Sequence, residues 1–305
     1  MPVVNAQQGF GVSRSALEVG GRFAGFLNSV EGGSAYSDVV EDKVGVDNIV
    51  HKHIAGVKYD NITITCGTGM TAAVYGAIKE MCNGNTFRFD SAIQSLDFDG
   101  NIVSLLQIMQ GTLTEVGFPA LDASSKDAAR LTVKITPEST RRKMGSGKLQ
   151  VATKPAEKWL CSNFRLTIPG LDCKTVYKIG ALTIKQQVTA ATVGQQRISQ
   201  QQPSVLEVPN LVVTLAESHA QSFYDWHEDF VINGHNGADK LKQATLELLT
   251  PDLKEALFTL TFHDLGIFRL DTANPEAGGE NIRRVKAQMY CDKIDFVYAK
   301  DATAG

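Results

Sequence analysis

The sequence is poor in the features that mark most functional classes. Its five cysteines (Cys66, Cys82, Cys161, Cys173, Cys291) are odd in number, scattered along 305 residues, and form no C-x-x-C pair. That argues against a disulfide framework or a zinc ribbon and for reduced, mostly buried thiols acting as small hydrophobes. Charge of one sign is also missing. Thirty Lys and Arg against 33 Asp and Glu leave a net −3, so nothing advertises nucleic acid or a membrane surface as partner. No window approaches the roughly 20 apolar residues that span a bilayer. The opening MPVVNAQQGFGVSRSALEV lacks the basic start and apolar core of a signal peptide. The expectation is a soluble protein made in a cytoplasm, with no membrane partner.

Recognisable catalytic chemistry is scarce as well. There is no G-x-S-x-G and no cysteine in a catalytic context. GSGK at 145–148 lacks the first glycine of a phosphate loop, where Arg142 stands, and the hydroxyl residue after the lysine, where Leu149 stands. With the preceding TRRKM it reads as a solvated linker. His51 and His53 share one strand face, but no third ligand lies nearby. His227-Glu228 and His263-Asp264 lack H-E-x-x-H spacing. Asp97 and Asp99 flank a turn that their side chains would shape. The expectation is no catalytic residue, no cofactor and no metal site.

What the sequence does contain is ordinary globular material, 43% hydrophobic and 21% charged, at a length suited to about two domains. It also contains a repeat. YDNITITC around Asn61 matches VPNLVVTL around Asn210, 149 positions on. At that spacing Tyr75 meets Tyr224, Gly117 meets Gly266, Leu121 meets Leu270 and Asp122 meets Asp271. LTEVGFPALD then aligns without gaps on FHDLGIFRLD. Asn83-Gly84 meets Asn233-Gly234 at 150, after one insertion. These matches predict two copies of one fold, 1–150 and 151–305.

Within each copy the periodicities agree. Met70, Val74, Ile78 and Met81 recur at helical spacing before a stop at Gly84. Phe223, Trp226 and Phe230 do so before Gly234, with Ser218 as candidate N-cap. TFRFD, IVSLLQIM and ARLTVKITPE, then TLELL, ALFTLTF and RRVKAQMYCDKIDFVYA, read as strands. The fold class expected is mainly β: two tandem antiparallel β-barrel or sandwich domains, each with one flanking α-helix and a long β-hairpin.

The hairpins are unusual. SAYSDVVEDKVGVDNIVHKHIAG puts Val40, Val44, Val46 and Val50 on one face. TIKQQVTAATVGQQRISQQQPSVLEV puts Ile184, Val188 and Ile198 on another, among seven glutamines. Such a hairpin is either a surface excursion or an edge meant to be paired by neighbouring copies in a closed ring. These seven residues are the candidate self-association positions.

GFLNSVEGG, VHKHIAGVKYDNITITCG, NGNTFRF and EVGFPALDASSKDAARLTVKITPE together resemble the tail-tube family of contractile phage tails, type VI secretion tubes and extracellular contractile injection systems. The resemblance covers residues 20–142 and is weaker in the second copy. It implies a structural, non-enzymatic protein whose domains form six-fold rings that stack into a hollow tube. It implies partners in itself (three or six chains per ring), in sheath and baseplate proteins, and in tape-measure protein, DNA or effector cargo. It implies synthesis in a bacterial host, then a place in a virion tail or injection particle. A standard tube subunit has one such domain. The fusion of two therefore leaves a baseplate hub or tube initiator as an alternative, with an enzyme on a duplicated β fold more remote.

Overall fold

The computed structural model describes residues 14–42, 49–149, 159–191, 200–273 and 283–298. The first half begins with β1 (Arg14–Val19), β2 (Arg22–Leu27), β3 (Ser29–Gly32), β4 (Ala35–Asp42), β5 (His51–Tyr59) and β6 (Ile62–Cys66). Helix α1 (Ala72–Cys82) follows, then β7 (Arg88–Leu96), β8 (Ile102–Phe118), β9 (Leu121–Asp122), β10 (Leu131–Thr136) and β11 (Ser139–Met144). The antiparallel order is β2-β1-β7-β8-β10-β6-β3, with β11 also on β8. Alternation drives it: Ile62, Ile64 and Cys66 on β6 and Leu131, Val133 and Ile135 on β10 all point into one core, while the threonines between them are less buried. The Thr140 hydroxyl of β11 donates to the Gly33 carbonyl at 3.0 Å and draws the sheet nearly closed.

The second half comprises β12 (Phe164–Thr167), β13 (Val176–Ile179), β14 (Leu182–Ala191), β15 (Gln200–Glu207), β16 (Leu211–Ala216) and α2 (Gln221–His227). It ends with β17 (Lys242–Leu249), β18 (Ala256–Ala273), β19 (Arg284–Tyr290) and β20 (Lys293–Tyr298). Its pairings repeat those of the first half except that, among the described residues, the β1–β2 pairing has no counterpart. β12 pairs β17 as β1 pairs β7, and β17 pairs β18 as β7 pairs β8. β18 pairs β19 and β20 as β8 pairs β10 and β11. β16 joins β19 to β13 as β6 joins β10 to β3, and β14 pairs β15 as β4 pairs β5. The fold is mainly β and antiparallel, with one α-helix and one long hairpin in each half.

The repeat spacing is not constant, and this corrects part of the sequence alignment. Ile62 pairs with Ile135, and Leu211 pairs with Met289. Strands β10 and β19 therefore correspond at 154 residues while β6 and β16 correspond at 149. The same 154 carries the bulge after Leu113 onto the bulge after Ile267, and left-handed Gln110 (φ 48°) onto Asp264 (φ 54°). Gly117 thus corresponds to Asp271, not to Gly266. One of the five extra residues sits in a π-helical turn, Glu228–Ile232, which closes α2. The others lie in the loop after the helix and in the β17–β18 turn.

Two further expectations are corrected. Ser218 is not the N-cap. It lies in a 3-10 turn, Glu217–His219, and Ala220 precedes α2. The tract TRRKM is not linker but most of β11, its residues opposite residues 104–108 of β8. The GSGK that follows stays bound to β8, with the Gly145 amide on the Val103 carbonyl at 2.9 Å and the Ile102 amide on the Gly147 carbonyl at 2.9 Å.

The halves meet edge to edge. Residues 115–118 at the end of β8 pair antiparallel with residues 182–185 of β14, Val116 opposite Ile184 and Glu115 opposite Lys185. β9 pairs with β13, Asp122 opposite Lys178. Val116 and Ile184 are almost wholly buried, and each such side chain contributes roughly 1.5–3 kcal/mol. Above this joint α1 of the first half packs on β20 of the second. There Tyr75 meets Phe258 (centroids 5.2 Å, edge-on) and Tyr298 (5.4 Å), so one core runs through both halves.

The two glycines once aligned serve different ends. A Cβ on Gly266 would lie 2.3 Å from the ring of Tyr290, its partner on β19. One on Gly117 would meet nothing closer than 3.5 Å. Gly266→Ala is expected to cost about 1–3 kcal/mol through overpacking, seen as a lower urea midpoint, whereas Gly117→Ala stays near the parent value.

Candidate self-association surface

Strands β4 and β5 form a two-stranded sheet of their own. Nearly every residue in it is exposed, on both faces. Val39, Val40, Ile54 and Val57 are among the large apolar side chains left in solvent, Ile54 at 73%. Across the hairpin, Lys52 Nζ reaches Glu41 at 2.9 Å, His53 Nδ1 reaches Asp42 at 3.1 Å, and Lys58 pairs with Asp38. These solvent-screened pairs set the register and add little stability. A lone two-stranded ribbon is marginal in water, so its apolar residues are available to a covering partner. Of the sequence candidates here, Val40 and Val50 are exposed. Val44 and Val46 lie outside the described residues.

The β14–β15 hairpin divides into two parts. Its base belongs to the joint, where Ile184 is buried against the first half rather than offered to another chain. Farther out, Val188 is half-buried opposite Pro203. Pro203 has no amide hydrogen to give, as suits an edge strand. Ile198 lies outside the described residues. The Gln186 amide is buried and donates to the Val205 and Gln187 carbonyls, each at 3.3 Å.

Two surfaces were not apparent in the sequence. One is the outer edge of β18 at residues 269–272, which pairs with β19 on one side and, among the described residues, with no strand on the other. The other is β11, whose Arg141, Arg142, Lys143 and Met144 are all exposed. Four successive exposed residues leave no apolar rhythm, so the composition of β11 reads as linker.

Groups with catalytic potential are held in structural roles. Burial pushes the Cys66, Cys82 and Cys291 thiols up to about 12, too high for a thiolate nucleophile at neutral pH. His263 Nε2 lies 2.7 Å from Asp295, and His219 Nδ1 lies 3.0 Å from Asp172. The Asp97 carboxylate accepts the amides of Asp99 (3.0 Å) and Asn101 (2.7 Å), shaping its turn. Among the described residues no group of three or more His, Cys, Asp or Glu could hold a metal ion. A groove of about 360 Å³ beside the joint is lined by Ala123, Ser124, Thr175, Tyr177, Ala216 and Arg284. Arg284 covers the Tyr177 ring at 4.2 Å.

No family model and no curated protein matches the sequence. Among solved structures the chain is similar to a protein of the sheath-tube complex of an extracellular contractile injection system, PVC, in its extended state. That match has 21% identity and a TM-score of 0.40 over 45% of this chain and 93% of the other. It is similar to one in the tube-terminating cap of the anti-feeding prophage, with 18% identity and a TM-score of 0.41 over 47% and 97%. It is also similar to Hcp1 from Flavobacterium johnsoniae, with 15% identity and a TM-score of 0.28 over 45% and 95%.

The joint carries its own titration. Hydrogen bonds from the Ser124 hydroxyl and amide, then the charges of Lys178 and Arg284, hold the Asp122 carboxyl below the usual range. A carboxyl lowered by folding stabilises the protein above its unfolded value near 3.9, and that contribution is lost as pH falls through the folded value. Urea midpoints measured from pH 7 to pH 3 are expected to drop below about pH 4. Asp122→Asn should remove part of that drop.

Proposed function

We propose that the chain is a structural protein of two tandem tail-tube-like domains, 1–150 and 151–305. In this reading it self-assembles into rings that stack into the hollow inner tube of a phage tail or contractile injection machine. The observation that carries this is the pairing scheme. Apart from β2, the second half repeats the first half's pairings, the halves are joined edge to edge, and among the described residues 33–36 and 269–272 each keep an edge without a second strand. The exposed valine and isoleucine side chains of the β4–β5 hairpin support it, since association would cover them. The tail-tube resemblance of residues 20–142 implies six domain positions per ring, which three such chains would fill.

Function then resides in association, and no residue is catalytic. Sheath and baseplate proteins would bind outside and below, and tape-measure protein, DNA or effector cargo would pass through the lumen. The glutamine-rich second hairpin, if it faces that lumen, offers few fixed charges to retain cargo. The chain would be made in the bacterial host and end in the tail or injection particle. The unlike chemistry of the two hairpins, charged and valine-bearing against glutamine-rich, favours one second reading: a hub or initiator joining the tube to the spike.

Native mass spectrometry with negative-stain imaging tests the proposal. Rings of three chains with a central hole are expected, whereas a persistent monomer at all concentrations would reject self-assembly. Val40→Asp, on the exposed hairpin, should leave the thermal midpoint unchanged. It should raise the concentration needed for assembly about tenfold, the equivalent of ~1.4 kcal/mol.

A further inference from the structure

We propose that the joint inside the chain is repeated between chains. Residues 269–272 at the outer edge of β18 would pair antiparallel with residues 33–36 of a second copy, and α2 would pack on that copy's β11. The inference rests on the ring reading and adds to it the surfaces and the register.

The correspondence between halves is what specifies the contact. Residues 115–118 of β8 correspond to 269–272 of β18, since Val116 and Leu270 hold the same place opposite Val133 and Ala287. Residues 182–185 of β14 correspond to 33–36, because the bulge after Gln186 matches the bulge after Ser37. The internal pairs Lys185 with Glu115 and Ile184 with Val116 therefore translate to Tyr36 with Arg269 and Ala35 with Leu270. Both edges lack a second strand among the described residues. A heterologous contact of this kind, repeated head to tail, generates a ring when the rotation closes.

The side chains on the two unpaired edges suit one another. Tyr36 is 46% exposed and would face Arg269, whose Nε holds Asp271 at 2.7 Å, as a cation–π pair at the place where Lys185 stands opposite Glu115 in the backbone register. Leu270 is half-buried and would lie beside Ala35, a large residue opposite a small one where the internal joint has Val116 opposite Ile184.

The layer above the joint agrees. Inside the chain Tyr75 of α1 touches Tyr298 of β20. The corresponding residues are Tyr224 and, on the next copy, Met144, which is 86% exposed and able to meet a ring through its thioether. Phe296 corresponds to Arg142. On α2 and its π-turn, the elements that would lie over that strand, Asp225 and Glu228 are exposed. Among the described residues no ion pair engages Arg142, Asp225 or Glu228. The basic strand that resembled a linker thus has an acidic counterpart on the other end of the chain.

The test is site-directed cross-linking of full-length protein. Ala35→Cys with Leu270→Cys in one chain, joined by oxidation or a short bis-maleimide, is expected to give a ladder of covalent multimers that neither single variant gives. Tyr36→Cys with Arg269→Cys, at two exposed positions, provides a second pair if Leu270 proves necessary for folding. Arg142→Glu should weaken assembly at least severalfold, and adding Glu228→Arg should restore it. If the parent assembles by native mass spectrometry while neither cysteine pair cross-links, this register is wrong and the ring reading stands. If the parent does not assemble, the ring reading fails first.

Discussion

Four residues at the end of β8 find their backbone partners in β14, more than sixty positions on, and the rest of the molecule is arranged around that pairing. An unpaired sheet edge is costly when buried and adhesive when exposed. The first half ends with such an edge, and the second half supplies the strand that covers it. Once those amides and carbonyls are matched, Val116 and Ile184 are driven out of water together, Asp122 settles opposite Lys178, and α1 has a surface in β20 to lie on. Burial supplies the energy, but the edge pairing decides which surfaces are buried.

That arrangement separates two kinds of apolar residue. Those in the core-facing alternation of β6, β10, β16 and β19 are sealed in the shared core. Those on the β4–β5 ribbon are left exposed among the described residues, and the ion pairs along the ribbon only keep it in register. A protein that buries its interior so thoroughly yet leaves Ile54 largely in solvent carries an apolar surface that its own packing does not use. Cys66, Cys82 and Cys291 belong to the sealed interior, where burial keeps their thiols protonated.

Local pattern carried the sequence reading a long way. Strand alternation around Asn61 and Asn210, the helical stripes, and the Asn-Gly stops lie within short windows where composition mirrors burial directly. The spacing of the repeat in the later strands was not legible, because insertions in three separate places shift it from 149 to 154. The first of these, in the π-helical turn, showed as the step to 150 at Asn233-Gly234, but the later ones left no such mark. The shared glycines at 117 and 266 misled for a physical reason: Gly266 makes room for Tyr290, while Gly117 lies in the joint, opposite Thr183. Strand β11 was missed because four exposed residues leave no apolar rhythm to detect. The burial of Ile184 could not be read from its neighbours, since it depends on an edge far away in the chain.

The edge pairing also bears on biosynthesis. A ribosome releases the chain N-terminus first, so β8 can take its place in the first barrel well before residue 185 exists. For that interval its outer edge is complete but uncovered, on a nascent chain beside others of its kind. An intermediate with an open strand edge is prone to pair with the wrong neighbour. Fusing the covering strand onto the same polypeptide shortens that exposure to the time needed to synthesise a few dozen residues, instead of leaving it to a diffusive encounter between separate subunits.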